Sequence, residues 1–289
     1  MTSHDVVRKI RRLCHTRKVG HAGTLDPLAT GVLPIAVGDG TKILQFLLAE
    51  DKSYRASFQL GVTTDTLDVE GRVLQQRPVP EFSISELESI CSQYRGEIDQ
   101  LPPMFSAIKQ NGVPLYKLAR QGKEVKRETR KVHISRLEIV HSTADKITIE
   151  VDCSKGTYIR SLVSDIGENL GCGAHLTDLC RLRSGAYSLA ECVSLNALEK
   201  LEDPASVLIP MSDALRTCPL VELNVAAVQA LKFGIPPKLT EISVNEKLVN
   251  GELVRLYADR QLLAVARFNP ERTHEKRGDF ELQRVFVSY

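Results

Sequence analysis

The run ITIEVDCSKGTYIRSLVSDIGENL, residues 147–170, holds two periodicities back to back. Over 147–153 apolar and polar residues alternate, so Ile147, Ile149, Val151 and Cys153 share one face, the pattern of a half-buried strand. Ser154-Lys155-Gly156 reads as a turn. From 157 to 170 the apolar positions become Ile159, Leu162, Val163, Ile166 and Leu170, the 3.6-residue spacing of a helix with one buried stripe. Towards the N-terminus, residues 101–131 carry Pro102, Pro103, Gly112, Pro114 and Gly122, which make a long regular element improbable and suggest an inserted flap. Residues 83–95 read as a helix started by Ser83 or Ser85, and residues 54–60 and 32–37 as strands. A loop of small residues, Gly20 to Gly31, precedes them. Before it lies an amphipathic helix capped by Ser3, with Val6, Val7, Ile10 and Leu13 on one face. Towards the C-terminus the composition shifts between Pro204 and Pro219. A helix over 224–233 and strand-like runs at 252–257, 262–268 and 282–287 then predict a small, mostly β domain. The 289 residues suit one large domain and one small one.

The net charge of +2 hides a segregation. Arg8, Lys9, Arg11, Arg12, Arg17 and Lys18 stand together with no acid among them, and Lys109 to Lys131 carries eight Lys or Arg against two Glu. Each segment is net +6, which leaves the remainder of the chain at −10. Such concentration suits a polyanionic partner, and equally two solvated faces with none. The cysteine count is odd at seven, with no C-x-x-C pair, which argues against a disulfide framework and a cysteine-rich zinc site. Reduced thiols, no apolar run long enough to span a bilayer and no signal-peptide h-region together predict a cytoplasmic protein. Walker, dinucleotide-binding, H-E-x-x-H and G-x-S-x-G motifs are absent, so neither metal nor cofactor is implied.

Two residues stand out chemically. Asp26 precedes Pro27, which pushes its backbone away from helix, and Leu25, Pro27 and Leu28 surround it with apolar atoms. A carboxylate there needs a cation or must neutralise. An isolated Asp-Pro is more often a plain turn, and spacing alone does not overturn that. Arg160 falls in the first turn of the helix beginning near 157, where a cation opposes the macrodipole by about 0.3–1 kcal/mol. A local rule broken without local gain points to a partner such as a buried carboxylate; the commoner alternative is an arginine reaching into water. Tyr54 opens a strand and suits either core packing or stacking on a base, and His21 in the loop suits titration or stacking.

Four longer runs carry a resemblance. HAGTLDPLATGVLPIAVGDGTKI (21–43), DKSYRASFQLGVTTDTLDVEG (51–71), LPPMFSAIKQNGVPLYKLARQG (101–122) and CSKGTYIRSLVSDIGENLGCGAHLTDLCR (153–181) resemble, in order, motifs of TruB-type tRNA pseudouridine synthases. The resemblance covers roughly residues 3–185 and implies an α+β fold, with a mixed, largely antiparallel central sheet flanked by helices. It implies a catalytic domain over 1–215, an RNA-closing insertion over 101–131, and a PUA-like domain over 219–289. The implied activity is conversion of the T-loop uridine of tRNA, position 55, to pseudouridine. Asp26 falls on the family's nucleophile, Arg160 on its paired arginine, and Tyr54 on the tyrosine that packs against the base and is a candidate proton acceptor. Leu179 falls on an apolar pocket residue and His21 on the residue that fills the place of the flipped base. Lys155 lies in the K-G-T-Y-I-R motif near the RNA or the Asp–Arg pair. Arg8, Arg12, Lys18, Lys109, Arg120 and Arg127 are the expected RNA contacts. The tRNA T-arm is the expected partner, with a monomer and no obligate protein partner.

One departure accompanies the likeness. Family members open with a strand ending in D-K-P-x-G-x-T-S, whereas this chain begins Met1-Thr2-Ser3 and matches only the tail of that motif. Either the start lies further upstream or the strand is missing. Two other functions fit the same residues: a tRNA-folding chaperone without catalysis, and a guide-RNA-dependent relative. The long 101–131 insertion favours the stand-alone form.

Overall fold

In the computed structural model of the protein the described residues are 1–123, 125–271 and 278–286. By its contacts the chain divides into two compact units. The first comprises Met1–Lys9, His21–Ile35 and Leu48–Cys192; the second comprises Ile10–Gly20, Ala36–Leu47 and Val193–Tyr289. No helix among the described residues is long and apolar enough to cross a membrane.

The first unit is built on a seven-stranded sheet. Its strands run in the order Tyr187–Ser188, Ala174–Ser184, Lys52–Leu60, Lys146–Cys153, Arg130–Ser142 and Gly96–Gln100, each antiparallel to the next. Thr30–Gly31 adds to the side of Ala174–Ser184 in parallel. The sheet is therefore mixed and largely antiparallel, as the family resemblance implies. Alternation in the sequence decides which face is buried. Ile147, Ile149, Val151 and Cys153 are at most 2% exposed, and Ala56, Phe58 and Leu60 of the adjacent strand join them. The helix Ile159–Asn169 lays Leu162, Val163 and Ile166 on that face, all fully buried. Each such side chain contributes roughly 1.5–3 kcal/mol by leaving water. Gly167 allows the close approach: a Cβ there would lie 2.4 Å from the Ala174 nitrogen. The helix Ile84–Ser92 packs Leu87 and Cys91 into the same core, and Ser83 starts it with a reciprocal cap to Glu86.

Two local expectations need correction. The run 32–37 is a strand only over Ile35–Val37, because Pro34 lacks an N–H for a ladder. Ser3 lies inside the helix Ser3–Leu13 and does not cap it. Thr2 does so: its hydroxyl and its carbonyl both accept from the Asp5 N–H, and the Thr2 N–H donates to the Asp5 carboxylate. Ser3 is instead buried, and its hydroxyl accepts the Leu25 N–H at 2.9 Å.

The second unit has its own five-stranded sheet, ordered Ile242–Val244, Leu220–Leu223, Leu253–Ala258, Gln261–Phe268 and Phe280–Val285. The pair Leu220–Leu223 and Leu253–Ala258 is parallel and the rest antiparallel. The helix Val225–Lys232, capped by Asn224, buries Ala227 and Leu231 in the core of this sheet. The small, mostly β C-terminal part is thus present, although Val287 of the expected run 282–287 lies outside the described residues.

Candidate active site

Asp26 sits in a turn closed by the Ala29 N–H donating to the Asp26 carbonyl, so the Asp-Pro turn is real. The turn also presents a charge. The Arg160 guanidinium meets the Asp26 carboxylate as a fork, Nε to Oδ2 at 2.9 Å and Nη2 to Oδ1 at 3.0 Å. Nη2 also donates to the Phe105 carbonyl at 2.9 Å, and Nη1 to the Thr66 carbonyl at 2.9 Å. Asp68 completes the set, its Oδ2 lying 3.4 Å from Nη1. Four of the guanidinium's five N–H donors are thus hydrogen-bonded, and the Asp68 carboxylate adds an ion pair. The Arg160 side chain is 5% exposed and that of Asp68 4%, whereas 31% of the Asp26 side chain reaches solvent. Buried charge is therefore compensated on the inner side, and the outer carboxylate stays available.

The first-turn arginine now has its explanation. The helix Ile159–Asn169 has no acid in its first turn and no side-chain cap. Asp26 and Asp68, both distant in sequence, supply the negative charge that its N-terminus lacks. The Gln100 side chain fixes that end by bonding both the N–H and the carbonyl of Tyr158.

Sequence reading missed Asp68. Its Oδ1 accepts from the Thr66 hydroxyl at 2.5 Å and from the Glu70 N–H at 3.1 Å. Leu67 between them takes φ 62°, a strained value for a branched side chain. That turn places the Thr66 carbonyl and the Asp68 carboxylate on one guanidinium. The available signal was the T-D-T-L-D spacing of 64–68, which periodicity cannot distinguish from a surface turn. Removing the negative member of this buried ion pair, worth about 1.5–3 kcal/mol at Arg160, corresponds to about ten- to a hundred-fold in rate. Asp68→Asn is therefore expected to slow single-turnover conversion of bound substrate by that factor without weakening substrate binding. Unchanged turnover would remove Asp68 from the site.

Beside the carboxylate opens a pocket of about 100 Å³, walled by Asp26, Tyr54, Thr157, Tyr158, Ile159 and Leu179. Leu179 and Ile159 are each 4% exposed and supply apolar floor. The strand Lys52–Leu60 delivers Tyr54, and the strand Ala174–Ser184 delivers Leu179. Burial pushes the Tyr54 phenol above its usual pKa range, while Arg181 beside it pulls the other way. The ring is therefore a neutral wall at neutral pH, with one cation favouring its ionised form.

The other expected site residues are placed as follows. His21 is partly buried, meets the His4 ring edge-on at 5.6 Å between centroids, and is held below the usual imidazole range by burial, with His4 and Arg181 adding to it. Lys155 is exposed on the turn before the helix and is not among the partners of Arg160. Arg8 is exposed and pairs with Asp5 of its own helix; Arg12 is exposed; Lys18 is exposed and pairs with Asp39 at 3.6 Å. Within 101–131, Lys109 and Arg120 are exposed, and Arg120 lies over the Tyr116 ring. Arg127 is partly buried and donates to the Pro102 carbonyl at 2.8 Å.

A carboxylate locked to a buried arginine, beside a pocket lined by two tyrosines and two apolar side chains, suits an enzyme acting on a planar ring. Comparison with known proteins identifies the class. Residues 11–159 match the TruB family pseudouridylate synthase N-terminal domain, and residues 160–216 match the tRNA pseudouridylate synthase B C-terminal domain. The tRNA pseudouridine synthase B of Syntrophotalea carbinolica is 48% identical over 288 residues, covering 99% of this chain and 94% of the relative. That of Geobacter sulfurreducens is 42% identical over 271 residues, covering 92% and 89%. Among solved structures, a chain of a Cbf5-Nop10-Gar1 complex superposes with a TM-score of 0.76 at 26% identity, covering 100% of this chain and 82% of that one. A chain of an H/ACA RNP bound to a substrate RNA containing 2′-deoxyuridine gives 0.74 at 25%, covering 99% and 82%. The chain belongs to the TruB family of pseudouridylate synthases. Its activity is that of an isomerase.

Proposed function

We propose that the protein isomerises the T-loop uridine of tRNA, position 55, to pseudouridine, as a cytoplasmic monomer that needs neither a cofactor nor an obligate protein partner. The single observation that carries this reading is the Asp26–Arg160 fork at the mouth of the pocket. The uridine is stacked within its loop and must swing out to reach such a pocket. His21 takes the vacated place in the RNA, while Leu179 and Tyr54 hold the base. Arg160 keeps the Asp26 carboxylate oriented. Asp26 then promotes breakage of the N1–C1′ bond, by attack at C1′ or through a glycal. The uracil turns and rejoins through a C5–C1′ bond; C5 loses a proton and N1 gains one, so composition is unchanged. The Tyr54 oxygen is the candidate acceptor of the C5 proton. The catalytic domain is assigned to residues 1–215 and a PUA-like domain to 219–289.

The direct test incubates the purified protein with unmodified tRNA and maps pseudouridine. Product at position 55, and none in tRNA carrying cytidine there, is expected. No product at any position would end the reading. Substrate binding is expected to rest on phosphate contacts from the exposed cations. Each such contact steepens the slope of log affinity against log salt by about 0.7–0.9. Lys109→Ala combined with Arg120→Ala should therefore weaken tRNA binding and flatten that slope by between one and two. Turnover at saturating tRNA should change little. An unaltered slope would remove both residues from the interface.

A further inference from the structure

Arg181 is 1% exposed and is the largest of the fully buried side chains among the described residues. A guanidinium so completely buried is costly unless its donors are met. Its side-chain acceptors here are backbone carbonyls: Nε donates to Val32 at 2.6 Å and Nη2 to Gly23 at 3.1 Å. These two carbonyls flank the loop that carries Asp26. The backbone of Arg181 holds the same loop, since its carbonyl accepts the Val32 N–H at 2.8 Å and its Cα pairs with Gly31. The fit at that pairing is tight, for a Cβ on Gly31 would stand 2.2 Å from the Arg181 carbonyl oxygen. On its other side Arg181 is the cross-strand partner of Tyr54. Residues directly opposite in an antiparallel pair project their side chains to the same face.

We propose that Arg181 is a positioning residue for the isomerisation: it ties both ends of the Asp26 loop to the strand beside the one that bears Tyr54, and its guanidinium supports the phenol of its cross-strand partner. The inference rests on the roles given above to Asp26 and Tyr54. It assigns to one buried cation the spacing between nucleophile and aromatic wall, and a counter-charge for the tyrosine oxygen. Lysine cannot replace it, because one ammonium on a flexible stem does not span Gly23, Val32 and Tyr54 together.

Arg181→Lys tests this in three measurements. Conversion of saturating tRNA in a single turnover should fall at least about tenfold while tRNA affinity stays within about threefold. In a Tyr54→Phe background the same substitution should cost at least about threefold less than in the wild type, because coupled residues are not additive, the remainder reflecting the Asp26 loop. The ¹³Cζ resonance of Tyr54 in ¹³C-tyrosine-labelled protein, assigned by its loss in Tyr54→Phe, should shift. A purely structural arginine would move neither the coupling nor that resonance. Where Arg181→Lys does not fold, the wild-type protein decides: the Arg181 Nε–H should be protected from exchange and show a nuclear Overhauser contact to the Tyr54 ring. Normal turnover in Arg181→Lys, multiplying losses in the double variant, or an exchanging Nε–H without that contact would each overturn the proposal. Because wild-type product and the Tyr54→Phe loss are measured alongside, failure of Arg181 is distinguishable from failure of the isomerase reading.

Discussion

Asp26→Asn should bind tRNA and leave its uridine unconverted. The substitution is isosteric, so the Asp-Pro turn and its Ala29 to Asp26 backbone bond persist. What changes is charge and donor pattern. The amide offers only one acceptor oxygen to the two Arg160 nitrogens that now meet a carboxylate oxygen each. The nitrogen left over faces another donor, which costs about 1–3 kcal/mol as an unmet buried group. A neutral amide has no free electron pair suited to attack at C1′, and it cannot act as a base in the glycal route. Loss of a nucleophile by itself lowers turnover by at least about 10⁴-fold in enzymes where it has been separated from binding. Pseudouridine mapping after long incubation should therefore find none, while a filter-binding curve moves by less than about threefold. Retained turnover would end the assignment of Asp26, whatever the family membership.

Removing the other half of the pair should damage both activity and folding. Arg160→Met keeps the bulk of the side chain and deletes all five donors. Asp68 would then lie buried without its cation, and the carbonyls of Thr66 and Phe105 without this donor. Breaking a buried pair from one side costs about 3–5 kcal/mol. Arg160→Lys separates the two effects. It keeps the charge beside Asp26 and Asp68 but loses the fork, so it should fold with a smaller loss of stability and still convert tRNA at least about a hundredfold more slowly. The measurements are thermal unfolding of both variants and single-turnover conversion by the lysine variant. A lysine variant that converts tRNA at the native rate would show that only charge, not the fork geometry, is needed.

Much of the local structure was legible in the chain. Strict alternation located Lys146–Cys153, and the 3.6-residue stripe located Ile159–Asn169. Gly and Pro marked 101–131, where, among the described residues before Arg130, only two-residue strands and the short helix Leu115–Arg120 form. The strands Arg130–Ser142 and Ala174–Ser184 escaped for physical reasons. Both pair through register shifts, between Ile134 and Arg136, between Ile139 and His141, between Leu176 and Asp178, and between Arg181 and Arg183. Each shift breaks the alternation that a sequence reading needs. In Arg130–Ser142 several outward positions, Arg130, Lys131 and Glu138, are also charged, so the run looks like a solvated segment.

The site divides along the same line. Asp26 before a proline among apolar neighbours, and Arg160 against a helix dipole, are anomalies that one residue's surroundings reveal. The family motifs fixed which of them to pair. Asp68, Arg181 and Ser3 look ordinary alone, because their meaning lies in partners 92, 158 and 22 positions away. A one-dimensional pattern records what each residue prefers next to its neighbours. Only the folded sheet, by setting which backbone carbonyls and carboxylates surround a buried guanidinium, decided how the negative charge is held in place.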